Sequence, residues 1–198
     1  ERCVADIGRA VRGQQPIIEL LLSTVLARGH VLLDDVPGVG KTTLARAVAR
    51  VLGSEFSRVQ FTADMLPGDI LGVHRPDPTT GKVAFEPGPI MKELVLADEI
   101  NRASPRTQSA MLEAMAERAV TVDGARFPLP PTFTVIETQN PVEHHGAYPL
   151  PESQLDRFMV SLSLGYPDRV SERALLENPT GPADALSELN TLFEPGEL

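Results

Sequence analysis

The run VLLDDVPGVGKTT at 31–43 constrains the fold more than any other stretch of this chain. An apolar strand leads into a glycine-containing turn, and Lys-Thr-Thr then opens the helix TTLARAVARVL. Val31, Leu32 and Leu33 read as a short buried strand, and Gly38 and Gly40 allow the backbone to curl until successive N–H groups point inward at an anion. The helix that follows turns its positive N-terminal end toward the same place. In such a cradle Lys41 would reach β- and γ-phosphates, and Thr42 would offer a hydroxyl to Mg²⁺. The pattern GxxxxGK[ST] asks for glycine at position 35, where Asp35 stands. An ordinary strand–turn–helix therefore remains open on this motif alone.

Composition narrows the class without choosing a function. At 198 residues the chain is long enough for one large domain or two small ones. Its hydrophobic fraction of 42% and charged fraction of 23% are those of a soluble globular protein. Trp is absent and the net charge is -9, which together disfavour base stacking and a broad nucleic-acid surface, although a local basic stripe could survive. Cys3 is the only cysteine, so no intrachain disulfide can form, and the chain suits a reducing, cytoplasmic setting. The longest apolar run, IIELLLSTVLA at 17–27, is too short to span a bilayer and carries Glu19. A chain beginning at Glu1 instead of Met is expected to be a fragment or a processed product.

Strand-like and helix-like segments alternate, which predicts an α/β layered fold around a mainly parallel sheet. Five strands are expected, at 30–34, 56–62, 93–100, 132–139 and 159–164. The runs ELVLADEI and TFTVIETQ are continuously apolar, as strands buried on both faces are. Helices are expected over about 16–28 and 41–52, and from Ser104-Pro105 to about Arg118 with Met111, Ala114 and Met115 as an apolar stripe. Two inserted hairpins are expected. Residues 73–90 carry a turn at Thr80-Gly81, and residues 120–130 turn at Asp123-Gly124. After Tyr166-Pro167 come a helix-like stretch and NPTGPAD, a linker by composition.

Three further motifs carry possible chemistry. LVLADE sets Asp98 and Glu99 at the end of an apolar strand. One carboxylate there could hold Mg²⁺ and the other could deprotonate an attacking water. Strands also commonly end in acidic loop residues, and only the phosphate-loop motif upstream tips the balance. Asn140, ending TQN at 138–140, could orient a water or a γ-phosphate, or could simply open a turn with Pro141. Arg157 in LPESQLDRF could neutralise a phosphate, but a surface ion pair with Glu152 or Asp156 is the simpler reading of the residues themselves.

In order, VPGVGKTT, LVLADEINRA, ETQNP and LPESQLDRF resemble the motifs of AAA+ ATPases. More narrowly, GHVLLDDVPGVGKTTLARAVA, FEPGPI, LVLADEINRASPRTQSAMLEAMAER, VTVDG and YPLPESQLDRF are similar to the MoxR family, from about Val11 to Pro167. The resemblance implies a three-layer P-loop NTPase with ATP and Mg²⁺ as cofactors. VPGVGKT is a usual loop in that family, so Asp35 is accommodated. The phosphates would be held by Val36, Pro37, Gly38, Val39, Gly40, Lys41, Thr42 and Thr43, with Thr42 and Asp98 toward the metal. Lys41 and Thr42 would be Walker A residues, Asp98 and Glu99 Walker B, and Asn140 sensor 1. Arg157 would be an arginine finger on a neighbouring subunit's nucleotide, which reverses the simpler reading of that residue. Val11, Gly13 and Gln14 match a segment near the adenine, and 73–90 matches a helix-2 insertion that would contact substrate.

The same resemblance implies a ring, most often hexameric, that remodels or matures protein clients with a von Willebrand factor A-domain partner. Residues 1–166 would form the nucleotide-binding core, and 167–198 would begin the linker to a C-terminal helical lid that this chain lacks. One departure stands out. Glu137 occupies a strand position where the family usually has a small residue, and a carboxylate there needs a partner or a raised pKa. Strand alternation sends it to the face opposite Asn140. Two rival classes remain for comparison. A nucleic-acid motor of the helix-2-insert clade is disfavoured by the charge, and a nucleotide-dependent switch with little turnover lacks the NKxD or TKxD guanine-reading tetrapeptide of GTP-binding proteins. The GAFTGA loop of the enhancer-binding activators is absent as well.

Overall fold

The computed structural model describes residues 1–36, 38–76, 79, 81–139, 148–166, 173 and 182–193. Pro37, Thr80 of the expected hairpin turn, Asn140 and most of the helix-like stretch after Pro167 lie outside them.

The centre is a five-stranded, wholly parallel sheet in the order β2-β5-β8-β1-β9. Its strands are β1 (Val31–Asp34), β2 (Phe56–Gln60), β5 (Leu94–Asp98), β8 (Thr134–Gln139) and β9 (Val160–Leu162). All five match the expected strands, trimmed by a residue or more at the ends. Alternation along each strand divides the sheet's side chains between two cores. Val31, Leu33, Leu94, Leu96, Ile136 and Leu162 face α1 (Arg2–Ala10), α2 (Gln15–Leu26) and α3 (Lys41–Leu52). Val59, Val95, Ala97 and Val135 face α4 (Pro67–Leu71) and α5 (Pro105–Glu117). The result is helix, sheet and helix in three layers.

Local chemistry explains the ends of these helices. Ser104 caps α5 by accepting from the Thr107 N–H, and Pro105 occupies its first turn. Met111, Leu112, Ala114 and Met115 are buried beneath it as core. In α3 the alanines 45, 47 and 49 are buried with Leu44, Val48, Val51 and Leu52, and their small size admits α1 closely. Helix α1 was not expected from the sequence, yet Cys3, Ile7 and Ala10 stand on one face at helical spacing, with Ile7 fully buried.

Two antiparallel hairpins interrupt the scheme: β3 (Gly72–Pro76) with β4 (Val83–Pro87), and β6 (Ala119–Val122) with β7 (Ala125–Pro128). The root of the first is too tight for a side chain. A Cβ on Gly88 would lie 2.1 Å from the Ile70 carbonyl oxygen. The hairpins meet through Phe85 and Phe127, stacked with centroids 3.8 Å apart, and through His74 and Asp123 at 2.9 Å.

Part of the expected linker is helical instead. Helix α6 (Glu152–Leu155) precedes β9, and α7 (Pro182–Ser187) begins inside NPTGPAD and packs against α3. The Arg50 Nε donates to the Leu189 carbonyl, and the Leu192 N–H donates to that of Val51. Proline at the first turn of a helix explains why a linker-like composition could open one. No helix among the described residues is long and apolar enough to cross a membrane.

Candidate functional site

Strands β1, β5 and β8 run side by side and end at the same edge of the sheet, so whatever follows each of them meets there. After β1 comes the phosphate-loop sequence. Gly38 and Gly40 take φ of 86° and 94°, left-handed values that a side chain would strain, and α3 begins at once with Lys41. Asp35, at the position where the bare pattern wants glycine, is buried and works as a brace. One carboxylate oxygen accepts the Val36 N–H at 2.8 Å. The other accepts the Gly165 N–H at 2.7 Å and the Ser163 hydroxyl at 3.2 Å. The carboxylate thus ties the loop to the chain leaving β9, a connection glycine could not make.

Lys41 folds across the loop and donates to the Asp35 carbonyl at 2.6 Å and the Gln139 carbonyl at 3.3 Å. Partial burial lowers its pKa, while the carboxylates of Asp35, Asp98, Glu99 and Asp34 oppose that shift by favouring the cation.

Asp98 is the last residue of β5, and both its oxygens are engaged. Oδ1 accepts the Thr138 hydroxyl, and Oδ2 accepts Arg58 Nε at 3.2 Å and Nη2 at 2.6 Å. Glu99 takes the left-handed φ of 59°, held there by its N–H, which reaches both the carbonyl and the hydroxyl of Thr138 at 3.1 Å. Its Oε2 accepts Gln60 Nε2 and Arg102 Nη1, each at 3.0 Å. Gly38, Gly40, Lys41, Thr42, Arg58, Gln60, Asp98 and Glu99 line one cleft of about 330 Å³.

The structure therefore brings together Gly38, Gly40, Lys41, Thr42, Asp98 and Glu99 among the residues singled out in the sequence. Val36 and Thr43 are partly buried beside them, and Val39 packs into the core under the loop. Gly13 and Gln14 do not line this cleft. They border a separate one between α1 and α2, where the buried Gln14 donates to the Leu164 carbonyl at 2.7 Å, next to Gly165 that Asp35 holds. Arg157 is exposed and does not line the cleft, with Nη1 donating to the Leu112 carbonyl of α5 at 2.9 Å. The ion pair that the residues alone suggested, with Glu152 or Asp156, is not among the salt bridges of the described residues.

Arg58, Gln60, Thr138 and Arg102 were not anticipated. Arg58 and Gln60 stand two apart at the end of β2, and Gln60 pairs in register with Asp98. Two polar residues at that spacing, closing a strand beside the acidic one, were the available signal.

Glu137 is fully buried in β8 between Leu32 of β1 and Ala97 of β5. Oε1 accepts Gln139 Nε2 at 3.2 Å, and Oε2 has no hydrogen-bond partner among the described residues. Burial pushes its pKa up to about 8, with the Gln139 hydrogen bond pulling weakly the other way. A neutral carboxyl resolves the conflict the sequence posed.

The hydroxyl of Thr42 and the carboxylate of Asp98 are hard oxygen donors, and they stand in a cleft open to further oxygens. That set fits Mg²⁺, which commonly takes one or two protein oxygens and completes its shell with water and phosphate.

The model for the ATPase family associated with various cellular activities (AAA) matches residues 30–160. An uncharacterized protein of Bacillus subtilis, YeaC, is 55% identical over 166 residues, 84% of this chain and 52% of that one. Chaperone MoxR1 of Mycobacterium tuberculosis is 46% identical over 176 residues, 89% of this chain and 47% of its own. The chain thus spans about half the length of the curated relatives it matches. The crystal structure of a candidate ATPase from Cytophaga hutchinsonii superposes with a TM-score of 0.82 at 37% identity, covering 94% of this chain and 60% of that one. With the phosphate loop, the paired carboxylates and the parallel sheet behind them, this chain belongs to the AAA+ ATPases, in their MoxR family.

Proposed function

We propose that this chain is the nucleotide-binding core of a MoxR-type ATPase that binds ATP with Mg²⁺ and hydrolyses it. The observation that carries the reading is the convergence of Lys41 and Thr42 with Asp98 and Glu99 on one cleft at the ends of adjacent strands. The backbone from Val36 to Thr43 would cradle the phosphates, and Lys41 would exchange its two carbonyl acceptors for phosphate oxygens. Thr42 and Asp98 would hold the metal, which would neutralise phosphate charge. Glu99 would take the proton from the attacking water, with Asn140 orienting that water. Gly13 and Gln14 would lie toward the adenine end, their cleft joined to the phosphate loop through Leu164, Gly165 and Asp35.

Arg157 would serve a neighbouring subunit, a reading supported by its exposure and by its not lining this chain's own cleft. Such an arginine is worth about 10³–10⁵ in rate, so turnover should rise with assembly. We assign 1–166 to the core and 167–198 to the approach to a helical lid. We assign the whole protein a homo-oligomeric, hexameric ring acting in the cytoplasm on protein clients with a von Willebrand factor A-domain partner; a relative named as a chaperone supports the client-remodelling part of that reading.

The test is ATP turnover of the full-length protein against protein concentration. Wild type should turn over faster per subunit as concentration rises. Glu99→Gln should lower the rate by about 10²-fold or more while nucleotide still binds, as loss of a general base does. Lys41→Ala should lose binding. Unchanged turnover in Glu99→Gln would refute the assignment of the base.

A further inference from the structure

Asp98 carries a cation already. The guanidinium of Arg58 reaches across from β2 and places Nε and Nη2 on the one oxygen, Oδ2, that Thr138 leaves open. Nη2 also donates to Gln60 Oε1 at 2.7 Å, so the side chain is held in this pose from a second direction. The Asp98 side chain is only 14% exposed and that of Arg58 43%, so water screens the pair incompletely. A divalent ion coordinated at Oδ2 could not share that oxygen with a guanidinium at 2.6 Å without strong repulsion between the two cations. A water-mediated ion would meet the same charge one shell further out.

Resting on the reading of this cleft as an ATP–Mg²⁺ site, we propose that Arg58 is a displaceable counter-ion of Asp98. It neutralises the carboxylate in the nucleotide-free cleft and must leave Oδ2 when a divalent cation arrives with nucleotide. Arg58 is then a positioning residue that sets how much Mg²⁺ nucleotide binding requires. The arrangement has a clear physical use. Asp34, Asp35, Asp98 and Glu99 all bear on Lys41, and a cation rooted on the neighbouring strand limits the repulsion among them when no metal is present. Arg102 performs the corresponding service for Glu99.

Binding of fluorescently labelled ADP to the full-length protein, titrated across Mg²⁺ concentrations, tests this without turnover. Arg58→Ala should need about three- to ten-fold less Mg²⁺ for half-maximal enhancement of binding, because the competitor is gone. Arg58→Lys, which keeps a cation with poorer geometry, should fall between Arg58→Ala and wild type. Should Arg58→Ala fail to fold, Arg58→Gln carries the same comparison. An unchanged or increased Mg²⁺ requirement in the neutral variants overturns the proposal. Nucleotide binding that depends on Lys41 but ignores Mg²⁺ in wild type also removes Arg58's role while leaving the phosphate site standing. Binding indifferent to both Mg²⁺ and Lys41→Ala overturns the site itself.

Discussion

Thr138 and Glu137 are neighbours on β8, and their polar groups are met in opposite ways. On the side of Thr138, at the rim of the cleft, each polar group has partners: its hydroxyl donates to Asp98 and accepts from the Glu99 N–H. On the side of Glu137 the strand faces a core of Val59, Val95, Ala97 and Val135, and one carboxyl oxygen has no partner among the described residues. The rim surrounds its carboxylates with donors. The interior accepts its carboxyl only by keeping it protonated. Ionisation inside the sheet therefore works against the fold.

The widest effect that could break this contrast is in the pH dependence of stability. The folded-state pKa of Glu137 is raised from 4.5 to about 8. Below the unfolded pKa both states are protonated, and the stabilising contribution is fully present. It is lost as pH rises through the folded value, because the unfolded chain ionises first. The span is about 5 kcal/mol. Denaturant midpoints between pH 6.5 and 9 should fall for wild type and stay nearly flat, from this group, in Glu137→Gln. A wild-type profile no steeper than that of Glu137→Gln would mean that the carboxyl has found a partner the interior was thought to deny it.

His30 supplies the converse, also against β8. Its Nδ1 accepts the Val135 N–H at 3.0 Å, and the ring packs edge-on to Phe133. Burial lowers its pKa to about 4, with a hydrogen bond at the Met115 backbone opposing and the charge of Arg118 assisting. Neutral in both states above 6.5, it favours unfolding as pH falls from 6.5 toward 4, by about 3 kcal/mol. Between about 4.5 and 6.5 the two slopes have opposite sign and nearly cancel. Wild-type stability should be level there and decline above it. His30→Gln, measured by the same midpoints, should uncover the Glu137 slope down to pH 5. A level profile in that variant too would show that His30 is not the balancing group.

The sheet and the rim differ in how far they could be read beforehand. The interior strands β1, β5 and β8 were legible because strands buried on both faces are continuously apolar, and the phosphate loop, Asp98 and Glu99 were legible because their positions at strand ends follow from their motifs. Asp35 was legible as a departure but not as a brace, since its partners Ser163 and Gly165 lie across the sheet in β9's exit. Arg58 was hidden for the same reason: its meaning lies in a partner on another strand, Asp98, that becomes adjacent only through parallel pairing. Gln14 was read toward the adenine by resemblance, yet its amide is committed to the Leu164 carbonyl. The helix in NPTGPAD was missed because proline and glycine announce a break in the chain without saying which element resumes after it. Short-range pattern identifies elements and their ends, and it leaves cross-strand pairing unread.

The smallest effect is the most local test of the contrast. Thr138→Val keeps the shape of a fully buried side chain and deletes its hydroxyl. Asp98 then loses the donor at Oδ1, and the Glu99 N–H keeps its bond to the Thr138 carbonyl. Because a second acceptor survives and Asp98 lies at the cleft edge where water can substitute, the cost should be about 1 kcal/mol in chemical denaturation. Thr138→Ser, which restores the hydroxyl but drops a methyl group, should recover the Asp98 interaction and show only a packing loss. The two variants can be separated by a cycle with Asp98→Asn: coupling to position 98 should be present for threonine and serine and vanish for valine. Equal coupling in all three would mean that the rim carboxylate draws its support from Arg58 alone, and that the donor network on this side of β8 is one bond thinner than its geometry indicates.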